Sequence, residues 1–207
     1  MPGIPDPANA LRRSHRILIL GRTGTGKTTL ARKLAACIDV PHIELDALYF
    51  GPAFTTVPLA VLRGRTSAAL SGDRWVTDGN KAAVRDLVWP RADTVIWLDY
   101  PLRVSLWRLG KRAIRRTSVL KSETANAEIK GGFIKMLLLG ARGVLTALRS
   151  HRGQRRLYPK LFAEPQNQHL AIVRLRSPRA TDRWLEHVLV VEPPAVTRLS
   201  RRSSGRQ

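Results

Sequence analysis

Acidic residues are scarce in this chain of 207 residues: 15 Asp and Glu stand against 36 Lys and Arg, for a formal charge of +21. A surplus of that size points toward polyanionic partners, whether nucleotides, nucleic acid or an anionic membrane surface; the plainer alternative is an Arg-rich proteome with a basic tail. There is one cysteine, Cys37, so no disulfide framework is possible, and its place after an apolar helix face predicts a buried, inert thiol. Long apolar runs are also missing. The longest stretches, around Met136 to Leu139 and Val144 to Leu148, are broken by Gly and Arg and are too short to span a bilayer. Met1 to Ser14 holds no apolar core of the kind a signal peptide needs, so a cytoplasmic location is the expectation. No internal repeat, zinc-ligand spacing, helix-turn-helix or aromatic-studded strand is apparent, and tryptophans 75, 89, 97 and 107 fall at core-like or element-end positions. With 43% hydrophobic residues the chain can build a packed core, as one domain with insertions or tails.

What is present begins with Gly21-Arg22-Thr23-Gly24-Thr25-Gly26-Lys27-Thr28, which fits G-x-x-x-x-G-K-[ST] at every fixed position. Arg16 to Leu20 before it reads as a short buried strand. Thr29 to Ile38 after it reads as a helix, with Leu30, Leu34 and Ile38 on one face. Strand, glycine loop and helix is the arrangement phosphate binding requires. Glycines let backbone N–H groups turn inward, and the helix N-terminus favours the same anion. Lys27 can reach β- and γ-phosphates, and the Thr28 hydroxyl can bind Mg²⁺.

Further strands are predicted at His42 to Leu45, Trp75 to Thr77, Thr94 to Leu98 and His169 to Leu175. Helices are predicted at 29–38, about 57–71, about 81–87, 101–116, about 132–149 and 179–190. The alternation predicts an α/β fold with a parallel sheet covered on both faces. Residues 1–14 read as a flexible leader, 15–193 as the domain, 117–160 as a lid or helical insertion within it, and 194–207 as a disordered basic tail. Ligands of such sheets bind at the carboxyl ends of the strands, which gathers the glycine loop, Asp46, Asp78, Asp99 and the Arg176 loop.

Each candidate has a bland reading beside the chemical one. Asp46 can orient a phosphate acceptor, take its proton or hold Mg²⁺ through water; it can also simply cap a helix. Asp78 ends an apolar strand, as a Walker B carboxylate does, or belongs to a plain Asp-Gly turn. Asp99, before Tyr100-Pro101, reads as a helix cap at least as readily as a functional group. Arg108, Arg112 and Arg115 form a row on the helix 101–116, suited to neutralising charge on a transferred phosphoryl group or to facing solvent. From Arg103 to Lys160, 15 Lys and Arg stand against two Glu. Lys135, Arg142 and Arg149, spaced seven apart, make a basic stripe there, suited to a closing lid, a nucleic-acid face or a membrane-surface helix. Its position between the fourth and fifth strands favours the lid or insertion.

The stretches Gly21–Leu30, His42–Tyr49, Trp75–Asn80, Val88–Arg116 and His169–Arg179, in this order, resemble the adenylate-kinase-like small P-loop kinases, and most closely the branch of DNA topology modulation proteins. The resemblance implies a P-loop NTPase fold with a five-stranded parallel sheet of adenylate-kinase type and a basic helical lid between strands four and five. It implies ATP and Mg²⁺ as cofactors, and γ-phosphoryl transfer to a small acceptor. It sets Arg108, Arg112, Arg115 and Arg116 at the family's arginine-rich entry to the lid, Arg85 at an arginine after the Asp-Gly-Asn turn, and Ser177 and Pro178 at the adenine edge. Two departures leave the acceptor open. The D-G-[FY]-P-R signature of adenylate kinases is replaced by Asp78-Gly79-Asn80-Lys81, where relatives of the branch usually carry an aromatic at the last position. Ser122 to Glu128 also replaces the branch's Trp-Asn-Gly-Asn-Arg-Glu-like stretch.

The expected assignment is therefore a phosphotransferase. The backbone of Gly21, Arg22, Thr23, Gly24, Thr25 and Gly26, with Lys27, Thr28 and Thr29, would hold nucleotide; Thr28 and Asp78 would hold Mg²⁺. Arg108, Arg112 and Arg115 would close on phosphate, and Asp46 and Arg85 would face the acceptor. The rival is a nucleotide-regulated nucleic-acid-binding protein that works through residues 103–160.

Overall fold

Arg16–Gly21 (β1) is apolar on every residue from Ile17 to Leu20, and such a strand can only sit where both sheet faces are covered. A computed structural model, which describes residues 15–51, 55–121 and 153–191, places it at the centre of a five-stranded, all-parallel sheet. The other strands are His42–Glu44 (β2), Trp75–Asp78 (β3), Thr94–Leu98 (β4) and Ala171–Leu175 (β5), in the order β2-β3-β1-β4-β5. β1 pairs with β3 from Arg16↔Trp75 to Ile19↔Asp78, and with β4 from Ile17↔Thr94 to Gly21↔Leu98. This register brings Leu98 level with Gly21 at the start of the glycine loop, and Asp78 level with Ile19, two residues before it.

The two-residue period of β1 divides the core. Ile17 and Ile19 face one layer, built from Leu30, Leu34 and Ile38 of helix α1 (Lys27–Ile38) and Trp184, Leu185 and Val188 of the C-terminal helix Pro178–Val191. Leu18 and Leu20 face the other, built from Leu62 of the helix Leu59–Ala69, from Trp75, Trp89 and Trp97, and from Tyr158 and Leu161 of a helix at 153–163. Among the described residues the α-helices, in chain order, are α1, α2 (Leu45–Leu48), α3 (Leu59–Ala69), α4 (Arg85–Val88), α5 (Leu102–Lys121), α6 (153–163) and α7 (Pro178–Val191).

All five expected strands are present. The second stops at Glu44, because Leu45 starts the single turn of α2, and the fifth starts at Ala171, because Leu170 still closes a turn onto the Asn167 carbonyl. The helix expected at 81–87 is instead a chain of short pieces: a 3₁₀ turn at Ala82–Val84, α4, and a second 3₁₀ turn at Trp89–Arg91, where Pro90 lacks the N–H a continuing helix needs. α5 runs on to Lys121, past the expected end at 116. Helix α6 was not expected separately from the insertion. Trp107, expected at a core-like or element-end position, is at neither: it lies within α5 and is 65% exposed, with the Lys111 ammonium 5.2 Å from its ring centre. Cys37 is half-buried, and burial pushes its thiol up. The leader 1–14, the helix expected at 132–149, the bulk of the 117–160 insertion and the tail 194–207 lie outside the described residues. None of the described helices is long and apolar enough to cross a membrane.

Candidate active site

The loop between β1 and α1 curls by means of two glycines in left-handed backbone, Gly24 at φ 83° and Gly26 at φ 91°. Gly24 also needs to be small: a Cβ there would lie 3.0 Å from the Ser105 carbonyl oxygen and 3.0 Å from Leu109 Cγ of α5. Gly26 is the N-cap of α1 and has no side chain, so the cap residue itself does not occupy the first-turn N–H groups. The Arg22 carbonyl gathers three donors: Thr25 N–H at 3.2 Å, Thr25 Oγ1 at 2.7 Å and Lys27 Nζ at 3.3 Å. From α5, Arg108 donates to the Thr25 carbonyl at 2.6 Å, and its guanidinium lies over the Tyr100 ring.

Below the loop, the Thr28 hydroxyl donates to Asp78 Oδ2 at 2.7 Å. The other carboxylate oxygen, Oδ1, accepts from His42 Nε2 at 2.7 Å. Asp78 is buried at the end of β3, so this geometry is held by three elements: α1, β2 and β3. The Lys27 ammonium is pulled down by its burial, with Asp78, Asp46 and Glu44 acting in the opposite direction. A half-buried cation among acidic neighbours, beside an open cleft, is poised to gain from a bound anion.

The cleft has a volume of about 560 Å³ and is lined by the loop residues Thr23, Gly24, Gly26, Lys27, Thr28 and Thr29, with Arg32, Glu44, Asp46, Arg108 and Leu109. A cavity of about 300 Å³ shares Gly26, Thr29 and Arg108 with the cleft and has further walls of its own in Thr25, Leu30, Lys33, Tyr100, Pro178, Thr181, Asp182 and Leu185. The two lie on either side of the loop, one polar and acidic toward β2, the other backed by Tyr100 and α7.

No protein-family model and no curated protein matches the chain. Among solved structures it is similar to a shikimate kinase from Bacteroides thetaiotaomicron, at 15% identity and TM-score 0.44, covering 86% of this chain and 98% of that one. It is similar to a gluconokinase from Sinorhizobium meliloti 1021, at 15% identity and TM-score 0.46, over 92% and 95%. It is also similar to a sugar kinase from Janibacter sp. HTCC2649, at 19% identity and TM-score 0.46, over 89% and 97%. Scores and identities this low leave the chemistry to be read from this chain's own residues.

Of the expected site residues, Thr23, Gly24, Gly26, Lys27, Thr28, Thr29, Asp46 and Arg108 line the cleft together. Arg22 takes part through its backbone alone: its side chain is buried, turned away to the Tyr100 carbonyl, with Nη1 unpartnered. Its charge is disfavoured by burial and by Arg155, and favoured by Asp99. Arg112 and Arg115 continue α5, but their side chains lie outside the described residues. Of the expected adenine pair, Pro178 lines the 300 Å³ cavity, whereas the Ser177 hydroxyl accepts the Ala180 N–H at 3.1 Å and so caps α7. Asp46 and Arg85 line separate cavities. Asp46 pairs with Lys81 at 3.2 Å, and Lys81 in turn lies 4.0 Å above the Tyr49 ring. Arg85 faces a cavity of about 420 Å³ with Trp89 and Leu161, and reaches Asn80, whose amide donates to the Tyr158 hydroxyl at 2.9 Å. Burial pushes that phenol up to about 12.

Asp99 is not a helix cap. It is buried, with Arg155 donating to Oδ1 at 2.6 Å and Arg174 to Oδ2 at 2.6 Å. Three residues escaped sequence reasoning: His42, Arg155 and Arg174. His42 stood inside a predicted strand two residues from Glu44, a place where a ring can reach the neighbouring strand end. Arg155 and Arg174 carried no signal, in a segment where arginine is everywhere.

The donor set under the loop fits a hard divalent cation. It offers one hydroxyl and one carboxylate, all oxygen, and leaves the remaining positions to phosphate and water. Among the described residues no group of three or more His, Cys, Asp or Glu could hold a metal without such help.

Proposed function

We propose that this chain is an ATP-dependent phosphotransferase that moves the γ-phosphoryl group of Mg-ATP to a small acceptor. The observation that carries this is the Thr28–Asp78 hydrogen bond of 2.7 Å beneath a complete phosphate loop, with Lys27 beside it in one cleft. In this reading the loop N–H groups and Lys27 bind the β- and γ-phosphates, and the 300 Å³ cavity takes the nucleoside. Thr28 and Asp78 hold Mg²⁺, which supplies charge neutralisation on the phosphates when bound. The bond between the γ-phosphorus and its bridging oxygen breaks, and a bond from an acceptor hydroxyl oxygen to that phosphorus forms. The acceptor's proton passes to Asp46 or to water. Arg108, already at the loop, neutralises charge on the moving group, joined by Arg112 and Arg115 farther along α5. The acceptor lies on the Asp46–Lys81 side, and the chain groups with the DNA topology modulation branch of small P-loop kinases.

The test is incubation with γ-labelled ATP and Mg²⁺ against nucleoside monophosphates, nucleosides and small hydroxylated metabolites, with Lys27→Ala as control. Label on one acceptor, lost in the variant, is the expected result. Unchanged ATP affinity and turnover in Lys27→Ala would overturn the assignment.

One observation favours a second reading. The exposed Trp107, flanked by Lys111 on a basic helix, is suited to stacking on nucleic-acid bases. That reading requires Trp107→Ala to lose single-stranded DNA affinity while ATP turnover stays intact.

A further inference from the structure

The Asp78 carboxylate has two oxygens and two partners, and the partners are not equivalent. Thr28 donates to Oδ2, but the Thr28 oxygen is also the atom offered to a cation, so it cannot by itself fix the carboxylate. Gly79 follows Asp78 in left-handed backbone at φ 127°, so the chain turns away after this residue. The terminal torsion of an aspartate is broad, and an Asp at such a position is steadied only by what its oxygens touch. His42 is the remaining partner. It sits on β2 opposite Val76, two residues short of Asp78, and its ring reaches along the strand to Oδ1 at 2.7 Å. Glu44, the residue in register with Asp78, goes elsewhere, toward Arg32 at 3.4 Å. The His42 side chain is 14% exposed and that of Asp78 4%, so little water competes for this bond.

We propose that His42 is a positioning residue: through its hydrogen bond to Asp78 it sets how tightly the site takes a divalent cation together with nucleotide. The inference rests on the reading of Thr28 and Asp78 as the Mg²⁺ pair. Removing a hydrogen-bond partner from a ligating group typically weakens metal affinity by about 10–100-fold.

The experiment measures binding of a fluorescent ADP analogue as Mg²⁺ is titrated, and Mn²⁺ binding by electron paramagnetic resonance in the presence of ADP. The proteins are wild type, His42→Leu, His42→Ala, His42→Gln and Asp78→Ala, each checked for folding by circular dichroism. His42→Leu keeps the bulk of the ring and His42→Ala does not, so either one, if folded, suffices. The Mg²⁺ concentration for half-maximal binding should rise about tenfold or more in both. Nucleotide affinity in EDTA should stay at the wild-type value, and His42→Gln, which keeps an N–H donor, should recover most of the loss. Wild-type Mg²⁺ and Mn²⁺ dependence in His42→Leu and His42→Ala, with Asp78→Ala impaired, would overturn the role of His42 alone. Wild-type dependence in Asp78→Ala would overturn the metal-pair reading as well.

Discussion

Lys27 is the residue at which stability and chemistry pull apart. It is half-buried, and burial disfavours the charge of its ammonium in the ligand-free protein. Because its folded value lies below its unfolded one, the folded state binds fewer protons than the unfolded chain between the two. Lys27 therefore makes the protein more stable as pH rises through that window. Lys27→Met should raise the melting temperature of the ligand-free protein, by about 1 kcal/mol of stability, while abolishing ATP binding; a thermal melt and a binding titration check the two halves. Asp99 is the opposite case. Its carboxylate is buried between Arg155 and Arg174, whose side chains are 41% and 38% exposed and can turn to water once released. Asp99→Ala should therefore cost about 2 kcal/mol, below the usual loss for a fully buried pair, as read by urea denaturation. Lys27 and Thr28 were legible from spacing, because a phosphate loop writes its chemistry into eight consecutive residues, and Asp78 from its place at the end of an apolar strand. His42–Asp78, Arg155–Asp99 and Arg174–Asp99 join residues 36, 56 and 75 apart, and no local pattern encodes such pairs.

Among the elements, α5 connects the loop to the basic segment. Its Ser105 and Leu109 leave no room for a side chain at position 24, and its Arg108 holds the Thr25 carbonyl. Gly24→Ala meets both that contact and a positive φ, so it should cost about 1–3 kcal/mol and weaken nucleotide binding at least tenfold; denaturation and calorimetry would show both. Arg108→Ala should leave the melting temperature within a few degrees while lowering turnover roughly 10³-fold, measured as label transfer at saturating ATP. The strands were readable because β1 is apolar from Ile17 to Leu20 and β4 from Val95 to Leu98, each followed by turn residues. Helix α6 was hidden because its core residues, Leu161 and the rings of Tyr158 and Phe162 that pack against Trp97 and Trp89, are interspersed with arginine and lysine. The helix expected at about 81–87 is broken at Val84, whose backbone (φ −131°, ψ 11°) leaves the helical region between the 3₁₀ turn and α4, a change that side-chain periodicity does not register.

In the molecule as a whole, the carboxyl ends of the parallel strands converge on the loop, as open α/β sheets require of a ligand site. The charge of +21 adds a long-range attraction for polyanions on top of that site. Nucleotide should bind the folded state alone, so Mg-ATP at 100 times its Kd should stabilise the protein by about 2.7 kcal/mol, a melting shift of roughly 5–10 °C. The most direct measurement is a calorimetric titration of ATP into the wild-type protein and into Lys27→Met, with Mg²⁺ and with EDTA. One ATP per chain, tightened by Mg²⁺ and lost in the variant, is the expected result. Absence of binding to the wild type, or equal binding to Lys27→Met, would contradict the assignment of this loop and the Thr28–Asp78 pair as a Mg-ATP site.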